Sequence, residues 1–583
     1  MPKFLYATII SFLSLGFMAL ISPVLAADFN VQINREYTLE ATGEFRIVET
    51  HSVTNNSTEL LISNSNTETF HISVINSKKD TIQSVVDGVK IVAEGVERDY
   101  TTTIDENSAQ LEVQYPRSIR GGETITFSIE YVNPGLVEDK GALIDVYAPG
   151  FAEGFKFEEG QTAIKYNTVV NVAQSYEEEN FVIPSEHQSE TGESYRMYSF
   201  TQESLIGTTI WLQIGRTQNY NFLITQEANA TDASDTGFFN EYRLIMPRDI
   251  KESLISQTVY YTKISPEPFQ IVEDEEGNLI GYFKIPTHQN AQIILEGYAI
   301  VTNIGVEADE TNSGVIGDYE GILLDEYTGQ AEYWEVDSAE IQGLATTLKG
   351  DEQNVYHIIL NTYEHVIDTI DYSQVKRFGL NERQGALKTL QGGAAVCMEY
   401  SDLFLTLTRA EGIPARAAFG YGYDSKLAES EQEAHQWVQV YLPGNDSWIS
   451  VDVTWGESGP ALIGGDLNHF FTHVAGDGPN TPAMVERISY GDDVELNPPD
   501  FAISVTDSVP NTSEMLSQQQ ILEKYPEKSN DLAKLFKDFD FSSYDMSQLS
   551  ILFILLGIFI TGSSVIFLGY MFISSKKKKK KTT

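Results

Sequence analysis

Apolar residues recur with two different periods along this chain of 583 residues, and the change of period is what most limits its fold. From Phe29 to about Val301, apolar and polar residues alternate in short runs that end at Gly, Asn or Pro, as in the run 123–131. A period of two is typical of half-buried strands. This part of the chain therefore predicts all-β, sandwich-like domains at 27–150 and 151–305.

The apolar pattern becomes helical after an acidic, Gly-rich connector at 306–334. Val355 and Ile358 begin a series of apolar residues at three- and four-residue steps, which is the spacing of one buried helix face. An α+β domain is therefore predicted at 335–480. We expect a trailing segment and stalk to follow it at 481–548.

Both ends of the chain carry long apolar runs. Because Lys3 precedes the first run and small residues lead to Ala26, residues 1–26 are expected to be a secretory signal peptide rather than an uncleaved anchor. The run 549–573 has no charged residue and, at about 1.5 Å per residue, could cross about 30 Å of hydrocarbon. A single C-terminal transmembrane helix is therefore expected, rather than a buried helix of a soluble protein.

A Lys-rich tail at 574–583 follows the second run and predicts that this end lies in the cytoplasm. The predicted location is the plasma membrane, with a single pass, the N-terminal ectodomain outside and the C-terminus inside. The chain carries 84 Asp and Glu residues against 38 Lys and Arg residues, a net charge of −46. Because this charge repels phosphates, nucleic acid is excluded as a partner.

Cys397 is the only cysteine, so no intramolecular disulfide can form and each domain must be held together by its core. Apolar residues follow it at helical steps until Gly412 and Pro414 end the pattern. Cys397 is thus expected at the N-terminus of a buried helix. There the helix dipole and the free N–H groups favour the thiolate, and the same amides could bind a developing oxyanion.

A histidine and an aspartate follow the cysteine in the same predicted domain. His435 begins one alternating run and Asp452 ends the next, with a short loop at 443–447 between them. Adjacent antiparallel strands would bring the two side chains within hydrogen-bonding distance. Cysteine, histidine and aspartate are the minimal set for nucleophilic catalysis by a thiol, because the imidazole takes the thiol proton and the carboxylate orients the imidazole.

Blocks of sequence in this order resemble the transglutaminase-like superfamily, whose core domain is papain-like. The blocks are Cys397 with its helix, RAEGIPAR at 409–416, His435 with Trp437, and WISVDVTWG at 448–456. The resemblance covers about 335–480 and implies that Cys397 is the nucleophile, His435 the general acid and base, and Asp452 the orienting carboxylate. No cofactor and no metal are expected. The β-rich N-terminal part and the predicted anchor also resemble exported, membrane-anchored microbial members.

Two positions depart from the pattern of the superfamily. Ala395 stands where glycine usually precedes the cysteine, and Val453 stands where proline usually follows the aspartate. Neither change removes a reacting group, although Ala395 could crowd a tight turn and lower the efficiency. Gln391 could be an oxyanion donor or a solvated turn residue. His469 and His473 lack partners at metal spacing, so core or surface roles are expected for them.

These features predict a membrane-anchored extracellular cysteine enzyme that transfers acyl groups through a thioester on Cys397. The acyl donor would be a glutamine side chain or a peptide bond of a protein or peptide substrate at the cell surface. The acceptor would be an amine or water, so crosslinking, deamidation and peptide hydrolysis stay open, as do the substrate and the oligomeric state. The alternative is a non-catalytic cell-surface binding or structural protein that uses the same fold as a scaffold.

Overall fold

The computed structural model describes residues 29–528 with short gaps. The gaps are at 59, 62–65, 75–78, 106, 153, 160–161, 231–238, 288, 306–307, 380–381, 425–431, 457–461, 481, 489–495 and 497. The described residues up to Tyr525 belong to one compact unit. The signal peptide predicted at 1–26 and the Lys-rich tail predicted at 574–583 lie outside the described residues.

Among its described residues, the first part of the chain forms strands with one α-helix, α1 (Lys79–Asp87), and two short 3-10 helices, Pro134–Leu136 and Glu203–Leu205. The strands are β1 (Phe29–Leu39), β2 (Phe45–Asn55), β3 (Thr67–Ser73), β4 (Lys90–Ala93), β5 (Val96–Glu97), β6 (Thr101–Ile104), β7 (Ser108–Gln114), β8 (Thr124–Val132), β9 (Val137–Lys140), β10 (Leu143–Ala148), β11 (Glu158–Glu159), β12 (Thr162–Ala173), β13 (Glu179–Ile183), β14 (His187–Thr191), β15 (Tyr195–Phe200) and β16 (Ile210–Ile214).

These strands form three sheets around one core. The nine-stranded sheet has the order β14-β15-β12-β1-β2-β8-β4-β5 with β11 beside β12, and the smaller sheets have the orders β13-β16-β10-β9 and β3-β7-β6. Their inward residues share a single core that runs from Val31 to Ile214. Because β1 pairs in parallel with β12, the largest sheet contains residues from both sides of position 150. The exact division into domains stays a prediction.

The next strands build the second β region. They are β17 (Thr217–Ala228), β18 (Phe239–Met246), β19 (Ile250–Lys251), β20 (Ile255–Ser265), β21 (Gln270–Glu273), β22 (Leu279–Pro286) and β23 (Ala291–Asn303). The long strands β17, β20 and β23 pair side by side, and β22 lies between β18 and β21 in a second sheet. Alternate residues such as Tyr220, Phe222 and Ile224 face the core between them. The predicted β-rich organisation of the N-terminal half is thereby confirmed.

Helices dominate the chain after residue 315. A 3-10 helix at Ile316–Asp318 precedes α2 (Gly321–Tyr327), α3 (Ala339–Lys349), α4 (Val355–Thr369), α5 (Gln374–Arg377), α6 (Ala386–Leu390) and α7 (Cys397–Ala410). They are followed by β24 (Ala415–Gly422), β25 (Ala434–Leu442), β26 (Ser447–Asp452), α8 (Val453–Gly456), β27 (Leu462–Ile463) and β28 (His469–Ala475). The five strands form an antiparallel sheet with the order β27-β26-β25-β24-β28.

Helix α7 lies at the centre of this α+β region. It contacts β24 and β25 on one side and α3, α4 and α6 on the others, and the side chains from Glu399 to Arg409 are buried. The predicted face of α4 is also buried, with Val355, Ile358 and Ile359 in the core of the same region. Gly412 ends α7 with a φ of +86°, a conformation that favours glycine. The predicted helix–sheet region is therefore confirmed.

After the α+β region, the chain returns to the second β region. Strand β29 (Val485–Ile488) pairs with β18, β30 (Asp500–Thr506) pairs with β17, and β31 (Leu516–Ser517) pairs with β20. A 3-10 helix at Thr512–Glu514 precedes β31, and α9 (Gln518–Lys524) follows it. These three strands thus join the two sheets of the second β region, while most of the rest of the predicted stalk lies outside the described residues.

The predicted fold class is wrong in its transmembrane helix. Within the described part of the chain, no helix is long and apolar enough to cross a membrane. The longest of these helices, α4, has 15 residues and therefore spans about 22 Å at 1.5 Å per residue, against a hydrocarbon core of about 30 Å. The run 549–573, on which the prediction was based, lies outside the described residues.

Candidate active site

Cys397 is the first residue of α7, at the helix N-terminus that the sequence predicts, and it is half-buried. The preceding residue, Val396, is extended, and its N–H donates a hydrogen bond of 3.1 Å to Glu399 Oε2 in the first turn of the helix. Glu399 Oε1 in turn lies 2.7 Å from Lys376 Nζ. The cysteine is therefore held at a helix N-terminus, where the amides of the first turn have no partner within the helix.

His435 and Asp452 lie on neighbouring antiparallel strands and form the pair that the sequence predicts. Strands β25 and β26 pair with Val438 opposite Val451, one residue before Asp452. His435 Nε2 lies 2.8 Å from Asp452 Oδ2, and both side chains are buried. Because Nε2 faces the carboxylate, Nδ1 is the ring nitrogen left for the hydrogen bond between His435 and Cys397. The structure thus brings all three predicted residues together.

The second oxygen of Asp452 is held by backbone. Oδ1 accepts hydrogen bonds from the N–H groups of Thr454 at 2.8 Å and Trp455 at 3.2 Å. These amides belong to α8, which begins at Val453, the position where the superfamily pattern has proline. The valine is buried and leaves this capping arrangement intact.

The charges around His435 favour its imidazolium form. Burial alone would lower the pKa of His435, but the charge and hydrogen bond of Asp452, together with Cys397, raise it above its ordinary value. Burial opposes ionisation of Asp452 as well, yet its contacts with His435 and His469 hold its pKa well below the usual range. The carboxylate is therefore ionised, and it stabilises a positive charge on the imidazole.

Aromatic rings enclose the imidazole of His435. Trp437 and Trp455 are stacked beside it, with ring centroids 6.0 Å and 5.5 Å from that of His435. Trp437 Nε1 donates a hydrogen bond of 3.0 Å to Ser450 Oγ, which fixes the indole on the sheet. These rings limit the orientations available to the imidazole.

A second histidine, whose role the sequence does not reveal, also contacts the carboxylate of Asp452. His469 Nε2 lies 3.0 Å from Asp452 Oδ2, and His469 Nδ1 lies 2.6 Å from Asp466 Oδ1. His473, four residues on, instead stacks on Phe419 with ring centroids 4.7 Å apart, and burial lowers its pKa to about 3. His473 therefore has the predicted core role, whereas His469 belongs to the site.

The ligand atoms of His435, Asp452 and His469 lie within 4.8 Å of one another, which is close enough for one metal ion. However, the two nitrogens lie at 2.8 Å and 3.0 Å from the shared Oδ2, and these are hydrogen-bond distances. Ligands that surround a zinc ion at about 2.0–2.2 Å would lie further apart. Protons rather than a metal ion account for this geometry.

Gln391 does not lie at the reacting centre. Its amide is exposed at the end of α6 and donates a hydrogen bond of 2.9 Å to Glu340 Oε2. Another glutamine, Gln384, contacts the segment before the cysteine, because its Nε2 lies 2.8 Å from the carbonyl oxygen of Ala394. Of the two proposed roles for Gln391, the turn residue fits this position better.

A buried glutamate from the second β region supports the sheet beneath the site. Glu252, between β19 and β20, accepts hydrogen bonds from Gln439 at 2.5 Å and from the N–H of Ser450 at 2.8 Å, and these two residues face each other on β25 and β26. Its Oε1 also accepts from Ser450 Oγ at 2.9 Å, the atom that holds Trp437. Burial raises the pKa of Glu252 to about 7.

Comparison with known protein families gives a match within the α+β region. Residues 342–453 match the sequence model described as the transglutaminase-like superfamily, so the chain contains a transglutaminase-like domain. No curated protein sequence is a significant match.

Two similar solved structures are a candidate cysteine protease from Cytophaga hutchinsonii and the periplasmic domain of TgpA from Pseudomonas aeruginosa. The first has 14% identity and a TM-score of 0.37, and the match covers 51% of this chain and 93% of that one. The second has 13% identity and a TM-score of 0.24, with 41% of this chain and 90% of that one covered. Because both TM-scores are below 0.5, the function of this chain is not inferred from either likeness.

Proposed function

We propose that this protein is a cysteine enzyme that transfers acyl groups from a protein or peptide substrate through a thioester on Cys397. One observation carries the proposal: the His435–Asp452 pair, joined at 2.8 Å, lies beside a cysteine at the N-terminus of α7. A cysteine that only filled the core would need neither a buried histidine nor a carboxylate that orients it.

Acylation would begin with the thiolate of Cys397 attacking the carbonyl carbon of a glutamine side chain or of a peptide bond. The negative charge that develops on the carbonyl oxygen would be stabilised by backbone N–H groups at the start of α7. His435 would then donate its proton to the departing ammonia or amine as the C–N bond breaks. The product of this half-reaction is a thioester on Sγ, and Asp452 keeps the imidazole in place throughout.

Deacylation would use the same groups in reverse. His435, now neutral, would take a proton from an incoming amine or water, which attacks the thioester carbon while the thiolate departs. An amine acceptor gives a crosslink, and water gives deamidation or peptide hydrolysis. Crosslinking, deamidation and peptide hydrolysis would all use the same three residues. The triad alone therefore does not determine whether the acceptor is an amine or water.

The proposal includes an exported location, which rests on the signal peptide predicted at 1–26. N-terminal sequencing of the mature protein from its native host checks this part. A mature chain that begins after Ala26 would support export, whereas a mature chain that retains these residues would contradict it.

The central experiment incubates the full chain with a glutamine-rich protein and a labelled primary amine, followed by mass spectrometry of the protein substrate. Incorporated amine, deamidated glutamine and cleaved peptides are distinguished by mass, so one experiment identifies the acceptor. Cys397→Ser is the matched control, because a serine hydroxyl is far less acidic than a thiol while the side chains are similar in size. We expect the serine variant to lose the reaction and to retain its thermal unfolding transition.

The alternative is a non-catalytic scaffold, and alkylation of Cys397 distinguishes the two. An activated thiolate reacts with iodoacetamide at mildly acid pH, where an ordinary thiol does not. Absence of both alkylation and acyl transfer in the wild-type chain would contradict the enzyme and support the scaffold. Acyl transfer that survives in Cys397→Ser would contradict the cysteine mechanism.

A further inference from the structure

His469 is bonded to a carboxylate through each of its two ring nitrogens. Nε2 faces Asp452 Oδ2 at 3.0 Å and Nδ1 faces Asp466 Oδ1 at 2.6 Å. Because an ionised carboxylate is only an acceptor, both nitrogens must carry protons for both contacts to be hydrogen bonds. The ring is therefore an imidazolium, and its pKa agrees: burial opposes the charge, but the two carboxylates raise the pKa above its ordinary value.

Asp466 is held in place by hydrogen bonds beside this imidazolium. Besides His469, its Oδ1 accepts the N–H of Asn468 at 2.8 Å, and its Oδ2 lies 3.3 Å from Asn468 Nδ2. The carboxylate is buried, and burial opposes its ionisation, yet the contact with His469 lowers its pKa. Asp466 and His469 thus form a buried ion pair directly behind the catalytic carboxylate.

Both histidines share one oxygen of Asp452. His435 lies 2.8 Å and His469 lies 3.0 Å from Oδ2, and the two rings have centroids 5.3 Å apart. A second cation at this oxygen draws part of the negative charge away from His435. Two backbone N–H groups hold Oδ1, and His469 holds Oδ2. Together these contacts fix the direction in which the carboxylate points.

We propose that His469 and Asp466 are positioning residues that act through Asp452: the imidazolium of His469 orients the carboxylate and limits how strongly it retains the proton of His435. The inference rests on the proposed acyl transfer, because it assigns a role within that site. A purely structural ion pair would stabilise the fold without affecting the protonation of His435, and this difference is measurable.

Other charged groups also face this cluster. Glu252 lines the same enclosed cavity of about 20 Å³ as Asp452, Asp466 and His469. Lys140 and Tyr220 interact electrostatically with Asp466, and Cys397 faces His435. Since the substitutions below leave all of these groups in place, a change in the pH profile reports the charge of the His469–Asp466 pair.

The test is the pH dependence of kcat/KM in the full chain. His469→Gln removes the positive charge, so His435 faces a more negative environment and keeps its proton to higher pH. We expect the alkaline limb to move up by on the order of one pH unit and the rate at the optimum to fall. In the double variant His469→Gln/Asp466→Asn both charges are gone, so the limb should return toward its wild-type position. His473→Gln, on the same strand, is the control and should leave the limb unmoved.

The proposal is overturned if His469→Gln folds and keeps the wild-type limb, or if the double variant shifts as far as the single one. Should His469→Gln fail to fold, the nearly isosteric Asp466→Asn replaces it. That variant leaves the charge of His469 unbalanced, so the limb should move to lower pH, and an unchanged limb would overturn the proposal.

The rate of alkylation of Cys397 by iodoacetamide, followed against pH, is measured on the same variants and needs no substrate. Alkylation that shifts with pH as described, without acyl transfer to any substrate, would contradict the proposed function and uphold the positioning role. Acyl transfer with no shift in either pH profile would uphold the proposed function and contradict the positioning role.

Discussion

At the scale of single residues, Asp452 is the most constrained side chain of the site. Its Oδ2 receives two imidazoles and its Oδ1 receives two backbone N–H groups, so every direction around the carboxylate is occupied. The backbone of Asp452 is also held, because Tyr363 Oη donates a hydrogen bond of 3.1 Å to its carbonyl oxygen. Gly456 makes room for that tyrosine, since a Cβ there would lie 1.4 Å from Tyr363 Oη.

This arrangement predicts a graded loss of activity. Asp452→Asn should lower kcat/KM by roughly 10²- to 10⁴-fold, because the imidazole loses its orienting charge but the proton acceptor remains. Cys397→Ala and His435→Ala should lower it further, since each removes a reacting group. Steady-state kinetics of the three variants on one substrate checks the order. Wild-type kinetics in Asp452→Asn would exclude the orienting role.

At the scale of elements, the short helix α5 braces the two halves of the site. Lys376 lies 2.7 Å from Glu399 on α7, and Arg377 lies 2.9 Å from Glu433, two residues before His435. The first pair is buried, with 9% and 0% of the side chains exposed, whereas Glu433 in the second pair is 48% exposed. One turn of helix is thereby tied to the segments that carry the cysteine and the histidine.

The two ion pairs of α5 should differ in their contribution to stability. Lys376→Met leaves a buried carboxylate without its cation, and we expect the free energy of unfolding to fall by about 3 kcal/mol. Arg377→Gln breaks a pair whose carboxylate is about half exposed and should cost about 0–1 kcal/mol. Chemical denaturation of both variants provides the comparison. Equal losses in the free energy of unfolding would mean that the difference in burial does not determine how much each ion pair contributes to stability.

At the scale of the whole molecule, the second β region is part of the support of the transglutaminase-like domain. Tyr220 Oη donates to the carbonyl oxygen of Leu467 at 2.6 Å, and Gln257 Nε2 donates to that of Phe471 at 2.9 Å. Asn278 adds a pair of hydrogen bonds with the backbone of Val474 on β28. The strand that begins at His469 is therefore held from outside its own domain.

Histidines that are held in the charged form make the stability of the whole chain depend on pH. In the first β region, His51 lies 2.5 Å from Glu49 and 2.6 Å from Glu68. Burial opposes its charge, but these carboxylates raise the pKa of His51 to about 9. The stabilisation is complete below the unfolded pKa of about 6.5 and is lost as the pH rises through about 9.

We therefore expect the melting temperature of the first β region to fall between pH 7 and pH 9–10. The corresponding loss in the free energy of unfolding is on the order of 2–3 kcal/mol. His51→Gln should make this fall smaller by the share that His51 contributes. His71→Gln is the control, because burial lowers the pKa of His71 and its titration lies on the acid side. Differential scanning calorimetry across this pH range provides the measurement. An alkaline fall that persists unchanged in His51→Gln would contradict the assignment.

Much of the site could be predicted because its parts are local in sequence. The helix that begins at Cys397 follows from apolar spacing and from Gly412 at its end, and the His435–Asp452 contact follows from two strands joined by a short loop. Such features depend on residues within one or two elements. The roles of His469 and Glu252 could not be predicted this way, because β28 pairs with β24 and Glu252 lies far from Ser450 in sequence.

The sequence by itself determined the β-rich first half, the helix–sheet region and the identity of the three candidate catalytic residues, because hydrophobic period and turn residues act over short distances. Only the tertiary structure decided which buried polar groups complete the site. It placed the imidazolium of His469 behind Asp452, Glu252 beneath Trp437, and the strands after residue 480 within the second β region. A buried charge must be paired or hydrogen-bonded, but its partner can come from any part of the chain that the fold brings close. Its position in the sequence is therefore not fixed by local patterns.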